Sequence, residues 1–97
     1  MKVVYTPEAI EDLVRLREFI EIKKPGAAKR VATSLADGIK KLKQFPYIGV
    51  EVSEAPTPEE LMRDLILGSY IVRYLILDKT INILRVWHQK EDEKNGL

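Results

Sequence analysis

The residues best suited to chemistry gather in the last third of the chain. They are the arginines Arg63 and Arg85, the rings Tyr70, Tyr74 and Trp87, and His88, the single histidine. Guanidinium groups placed among aromatic rings recognise carboxylates, phosphates or protein surfaces. The same residue types are enriched where binding energy concentrates. The alternative is that the arginine stems cover apolar surface while their charged heads reach water. The three rings could stack on bases, although such platforms come with a basic groove, and core or interface positions are the other reading. His88 has the chemistry of a general acid or base, yet no nucleophile elbow or Ser-His-Asp order surrounds it, so a hydrogen-bonded structural histidine is the competing reading. One histidine and no cysteine leave no metal-ligand set, and five scattered glycines form no phosphate loop. No metal, cofactor or catalytic residue is expected.

Positioning these side chains requires strands. Leu61 to His88 reads as three consecutive β-strands joined by two-residue turns at Gly68-Ser69, with glycine where a type II′ turn needs it, and at Asp78-Lys79. That register sets Leu67 opposite Tyr70, Asp64 opposite Arg73, Leu77 opposite Thr80, Arg73 opposite Leu84 and Val72 opposite Arg85. Asp64 and Arg73 thereby form a cross-strand ion pair. Alternation puts Arg63, Tyr74, Arg85 and Trp87 on one face with Leu65, Val72, Ile76, Ile81 and Ile83. The other face carries Ile66, Ile71, Arg73, Leu75, Leu77, Leu84, Val86 and His88. Both faces are apolar, so helices cover one and a partner molecule is needed for the other.

Upstream, Lys2 to Tyr5 is a short β-rich run, and Thr6-Pro7-Glu8 supplies a helix cap, a first-turn proline and a first-turn acid. Ile10, Leu13, Leu16 and Ile20 then recur at helical spacing, with Glu11, Asp12, Arg15, Glu18 and Glu21 on the remaining surface. Lys24-Pro25-Gly26 ends this helix. A second helix from about Ala27 to Gln44 carries Ala28, Val31, Ala32, Leu35, Ile39 and Leu42, and Gly38 points to close packing. The implied fold class is α+β: an N-terminal strand, an antiparallel helical hairpin, then a three-stranded antiparallel meander in one sheet. Residues 1–97 form one domain whose tail, 90–97, frays.

Net charge is +1 with 32% charged residues, which gives no overall basic field. The distribution is uneven: seven basic residues against Asp37 alone between Lys23 and Lys43, and four glutamates between Glu51 and Glu60. A solvated helix face accounts for the basic stretch, with phosphate contact as the alternative. No apolar run approaches the roughly 20 residues of a membrane span, and the start lacks a signal-peptide core, so a cytoplasmic protein is expected.

Tyr5-Thr6-Pro7-Glu8-Ala9 with Asp12-Leu13, the Pro25-Gly26-Ala27-Ala28 hairpin, Phe45-Pro46-x-x-Gly49, Arg63-x-Leu65-x-x-Gly68-x-Tyr70-x-x-x-Tyr74 and Ile83-Leu84-Arg85-Val86-Trp87-His88 together resemble the RelE/ParE toxin superfamily. The resemblance covers about Val3 to Asp92. RelE-like nucleases place an arginine after the strand tyrosine, where this chain has Ile71, and its C-terminal basic cluster is reduced to Gln89-Lys90. The Val86-Trp87-His88 ending looks more like the ParE branch. That branch implies a type II toxin that poisons DNA gyrase and is neutralised by a ParD-type antitoxin in a hetero-oligomer. No sequence-specific nucleic-acid binding is implied. Target engagement is then expected of Arg63, Tyr74, Arg85, Trp87 and His88, and antitoxin capture of Leu13, Leu16, Ile20, Leu35, Ile39 and Leu65. The alternatives are a ribosome-dependent RelE-like mRNA endoribonuclease using His88, Arg85 and Lys90, or a non-toxic relative that only binds an antitoxin.

Overall fold

A computed structural model of the chain describes residues 1–52 and 61–91. The first strand, β1 (Lys2–Tyr5), leads into α1 (Pro7–Lys23) through Thr6, whose hydroxyl oxygen accepts from Ala9 N–H at 3.1 Å. The expected cap and first-turn proline therefore start the helix as read. The turn after α1 has Gly26 at φ +86°, left-handed backbone that glycine adopts without a Cβ clash, and α2 (Ala28–Lys40) follows. It ends in a 3₁₀ turn, Lys41–Lys43, close to the expected Gln44.

The remaining strands are β2 (Val50–Glu51), β3 (Leu61–Leu67), β4 (Tyr70–Leu77) and β5 (Thr80–His88). The sheet order is β1-β5-β4-β3-β2, with β1 parallel to β5 and the other neighbours antiparallel. The three-stranded meander is thus the centre of a five-stranded sheet. Two residues of β2 are too few for a periodicity signal. Both turns have two residues, and at the second Asp78 and Lys79 have φ of 51° and 61°, the paired left-handed conformations of a type I′ turn.

Leu16 of α1, Leu35 and Ile39 of α2 and Leu42 pack on Leu65, Val72, Tyr74, Ile76, Ile81 and Ile83. The helices therefore cover the face that carries Tyr74. Burying each such aliphatic side chain contributes about 1.5–3 kcal/mol. Gly38 packs closely, as expected: a Cβ there would lie 2.5 Å from Leu67 Cδ1. On the opposite face Ile66 is 55% exposed.

One part of the expected register is corrected. Pairing of β3 with β4 is as read, including Asp64 opposite Arg73 and Leu67 opposite Tyr70. Between β4 and β5 it holds from Leu77–Thr80 to Tyr74–Ile83, then shifts, so that Arg73 lies opposite Arg85 and Val72 opposite Val86. Leu84 is the extra residue of a β-bulge. A slip of one residue exchanges faces. Val86 accordingly joins the core, and His88 sits beside Tyr70, ring centroids 5.1 Å apart in an edge-to-face pair. Arg85 and Trp87 leave the face of Tyr74, and Trp87 lies under the Arg73 guanidinium, 5.2 Å from its ring.

Candidate functional site

Three arrangements of side chains stand out, and the first explains the bulge. On the outer edge of β5, opposite β4, no strand among the described residues continues beyond Ile83, because β1 ends at Tyr5. Helix α1 takes its place. Thr6 N–H donates to Ile83 O at 3.1 Å and the Thr6 hydroxyl to the same carbonyl at 2.8 Å. Two turns on, the Asp12 carboxylate accepts Val86 N–H at 2.9 Å, Arg85 Nε at 2.7 Å and Arg15 Nη1 at 2.6 Å. Arg15 also donates to Val86 O at 3.3 Å and to Glu91 at 3.1 Å. Both edge groups of Val86 are thus satisfied by side chains instead of a strand.

Asp12 is 2% exposed, so its charge depends on these donors. Burial alone would raise its pKa, but the bonds from Arg85, Val86 N–H and Arg15 outweigh burial and hold the carboxyl below the ordinary value of 3.8. The Asp12 carboxylate, accepting from Arg85, in turn holds the Arg85 guanidinium still more firmly protonated despite partial burial. Asp12 was expected on the polar surface of α1, and this is corrected. The signal was legible: Ala9, Asp12, Leu16 and Ile20 are the buried residues of the helix and fall at helical spacing. The roles of Arg15 and Glu91 had no such signal. Lys90 and Glu91, expected in a frayed tail, are tied down: Glu91 N–H donates to His88 O, and Lys90 N–H to His88 Nδ1. Residues 92–97 lie outside the described residues.

The second arrangement is a clasp. The Tyr74 hydroxyl donates to Pro46 O at 2.7 Å and accepts Gly49 N–H at 2.9 Å, while Arg63 Nη1 donates to Gly49 O at 2.6 Å and Tyr47 O at 3.1 Å. These bonds fasten the Phe45–Gly49 turn to the sheet and leave Phe45, Tyr47 and Ile48 exposed on it. The Tyr74 side chain is fully buried, which raises its pKa above 10.0. Gly49 has no room for a side chain, since a Cβ would lie 2.6 Å from Tyr74 Oη.

The third is an apolar groove of about 290 Å³ between α1 and α2. Leu16, Ile20, Leu35 and Ile39 form its floor, and Leu13 lines it. Ile10 and Val14 stand exposed on its α1 side, Ala32 and Ala36 on its α2 side, and Arg17 is its charged lining residue. Small residues on α2 keep it open. Of the residues expected to capture an antitoxin, Leu13, Leu16, Ile20, Leu35 and Ile39 meet here, whereas Leu65 lies beneath, in the core.

The residues expected to engage a target are distributed. Arg63 and Tyr74 belong to the clasp, Arg85 to the Asp12 junction, and Trp87, 1% exposed, to the ring under Arg73. His88 stands apart beside Tyr70. The bulge separates them. Arg73 holds Asp64 through two bonds, at 2.8 and 3.0 Å, as read from the pairing. Among the described residues no helix is long and apolar enough to cross a membrane, and no group of His, Cys, Asp or Glu has metal-binding spacing.

Comparison with known proteins agrees with this fold. Toxin RelE2 of Caulobacter vibrioides is 32% identical over 87 residues, 90% of this chain and 93% of the relative. Toxin RelE1 of the same organism is 28% identical over 89 residues, 92% and 94% of the two chains. In fold, the chain is similar to a structure described as the chromosomal ParDE TA system from P. aeruginosa, with a TM-score of 0.74 at 22% identity, covering 91% of this chain and 95% of that one. The family described as ParE toxin of type II toxin–antitoxin system, parDE, matches residues 3–93, a span that takes in the Asp12 junction, the clasp and the groove. On that match, and with its five-stranded sheet under a helical hairpin, the chain belongs to the ParE toxin family of type II toxin–antitoxin systems.

Proposed function

We propose that this chain is a toxin that binds DNA gyrase and traps its cleaved DNA intermediate, and that a ParD-type antitoxin neutralises it. The observation that carries the antitoxin half is the α1–α2 groove, with apolar walls and exposed Ile10 and Val14 on its rim. An amphipathic helix presents apolar residues at the spacing such a groove accepts, and a disordered antitoxin tail can supply one by folding as it binds. The neighbouring structure from a ParDE system supports the same partner type.

For the target, the state of the basic residues supports binding over bond breaking. Arg85 is engaged by Asp12, Arg73 by Asp64 and Arg15 by Asp12 and Glu91. His88 Nδ1 already accepts Lys90 N–H. Cleavage of RNA through Arg85, His88 and Lys90 is the second reading, favoured by the RelE names of the curated relatives.

Pulse labelling of cells after induction separates these readings. A gyrase target predicts that DNA synthesis falls first; an early fall in protein synthesis with cleaved mRNA would move the assignment to the ribosome. Unchanged growth with the antitoxin still bound would indicate a non-toxic relative.

A further inference from the structure

The α1–α2 groove is apolar along almost its whole lining, and the exceptions differ from each other. Among the described residues only Tyr5 and Arg17 bring a polar side chain to it. Tyr5 is a neutral phenol, its pKa raised above 10.0 by burial. Arg17 is therefore the one charge among the described lining residues.

Helical spacing explains where that charge sits. Ile10, Val14 and Arg17 recur at i, i+4 and i+7 and so form one row along the α1 rim. Arg17 continues the row of exposed apolar side chains with an exposed guanidinium. The residue placed to neutralise it is Glu21, one turn further on, since opposite charges at i and i+4 pair across a helix surface. Glu21 is committed elsewhere: its carboxylate accepts Gly26 N–H at 3.0 Å and so closes the turn between the two helices. Glu18 follows Arg17 directly in the chain and projects to a different side of the helix. The facing wall offers Ala28, Val31, Ala32 and Ala36, whose side chains accept nothing.

An apolar stripe on a partner helix is generic, because every amphipathic helix has one. Discrimination among such helices needs a feature that penalises the wrong one. A helix laid in the groove comes over Arg17 and displaces water from it. A carboxylate in the stripe then meets the guanidinium in a charge-assisted pair. An apolar residue at that place strips water from the cation and returns nothing, and a lysine adds repulsion.

We propose that Arg17 is the selectivity residue of this groove, which takes an amphipathic helix carrying a carboxylate within its apolar stripe and rejects one carrying a cation there. The inference rests on the reading of the groove as the antitoxin site and specifies which antitoxin helix fits it.

Three labelled amphipathic peptides of about 20 residues, identical except for Glu, Gln or Lys at the centre of the apolar stripe, test this by fluorescence anisotropy with the full chain. The parent should bind the Glu peptide about tenfold or more tighter than the Lys peptide, with Gln between them, and the preference should shrink as salt rises. Arg17→Gln should bring the three within about twofold of one another, and Arg17→Glu should reverse their order. Arg17 is exposed, so both variants should keep the parent's thermal midpoint. Arg30→Gln removes equal charge from α2 outside the groove lining and should leave the preference intact. Equal affinity of the parent for all three peptides, or a preference lost equally in Arg30→Gln, would overturn the selectivity while leaving the groove as a helix site. No binding of any of the three by folded protein would overturn both.

Discussion

Asp12 of α1 and Val86 of β5 are joined by a 2.9 Å hydrogen bond in which a helix carboxylate takes the place of a missing strand. Removing that carboxylate leaves Val86 N–H without its acceptor and sets Arg85 and Arg15 beside each other unneutralised. Asp12→Ala should cost about 2–4 kcal/mol, read as a lower urea midpoint with the slope unchanged. A loss below about 0.5 kcal/mol, the range of ordinary surface changes, would contradict a structural role for this junction.

The same carboxyl gives stability a pH dependence whose sign follows from its lowered pKa. Folded, it binds fewer protons than unfolded, so its contribution is complete above the ordinary 3.8 and disappears as pH falls through the lower folded value. The stability gap between the parent and Asp12→Asn should therefore narrow below about pH 4. A gap that widened with acid would reverse the assigned direction.

Tyr74→Phe removes one hydroxyl and orphans two partners, Gly49 N–H and Pro46 O. We expect a loss of about 1–3 kcal/mol by thermal or urea unfolding. Gly49→Ala should be worse, because its new Cβ meets Tyr74 Oη and Asp64 O, the latter at 3.0 Å. A Gly49→Ala variant as stable as the parent would mean that the clasp is loose.

Lys79 works in the other direction. At φ 61° it strains a type I′ turn that favours glycine at this position, and Lys79→Gly should stabilise the fold by about 0.5–1 kcal/mol. A higher midpoint in urea is the expected result.

Val14 stands 52% exposed on the groove rim, so Val14→Asp should leave folding intact. It should weaken antitoxin binding by about tenfold or more while toxicity persists, giving cells that the antitoxin no longer rescues. Full rescue would place the antitoxin elsewhere.

Legibility followed the length of the pattern. The cap at Thr6-Pro7, the stripes of both helices and the two hairpin turns are local or periodic signals, and each produced its element. The bulge at Leu84 carries no glycine and no break in hydrophobicity. Its cause is Asp12, 72 residues earlier in the chain, so alternation alone moved Arg85, Val86, Trp87 and His88 to the wrong faces. The clasp was hidden for a related reason: Tyr74 looked like a ring available for recognition, and its partners are backbone atoms of a turn 25 to 28 residues away.

The most direct test of the central claim is DNA cleavage by purified gyrase in the presence of this protein. The account predicts accumulation of enzyme-linked cleaved DNA together with loss of supercoiling, both reversed by adding the ParD-type antitoxin. Full supercoiling activity, with no cleaved DNA, beside correctly folded toxin at saturating concentration would contradict it.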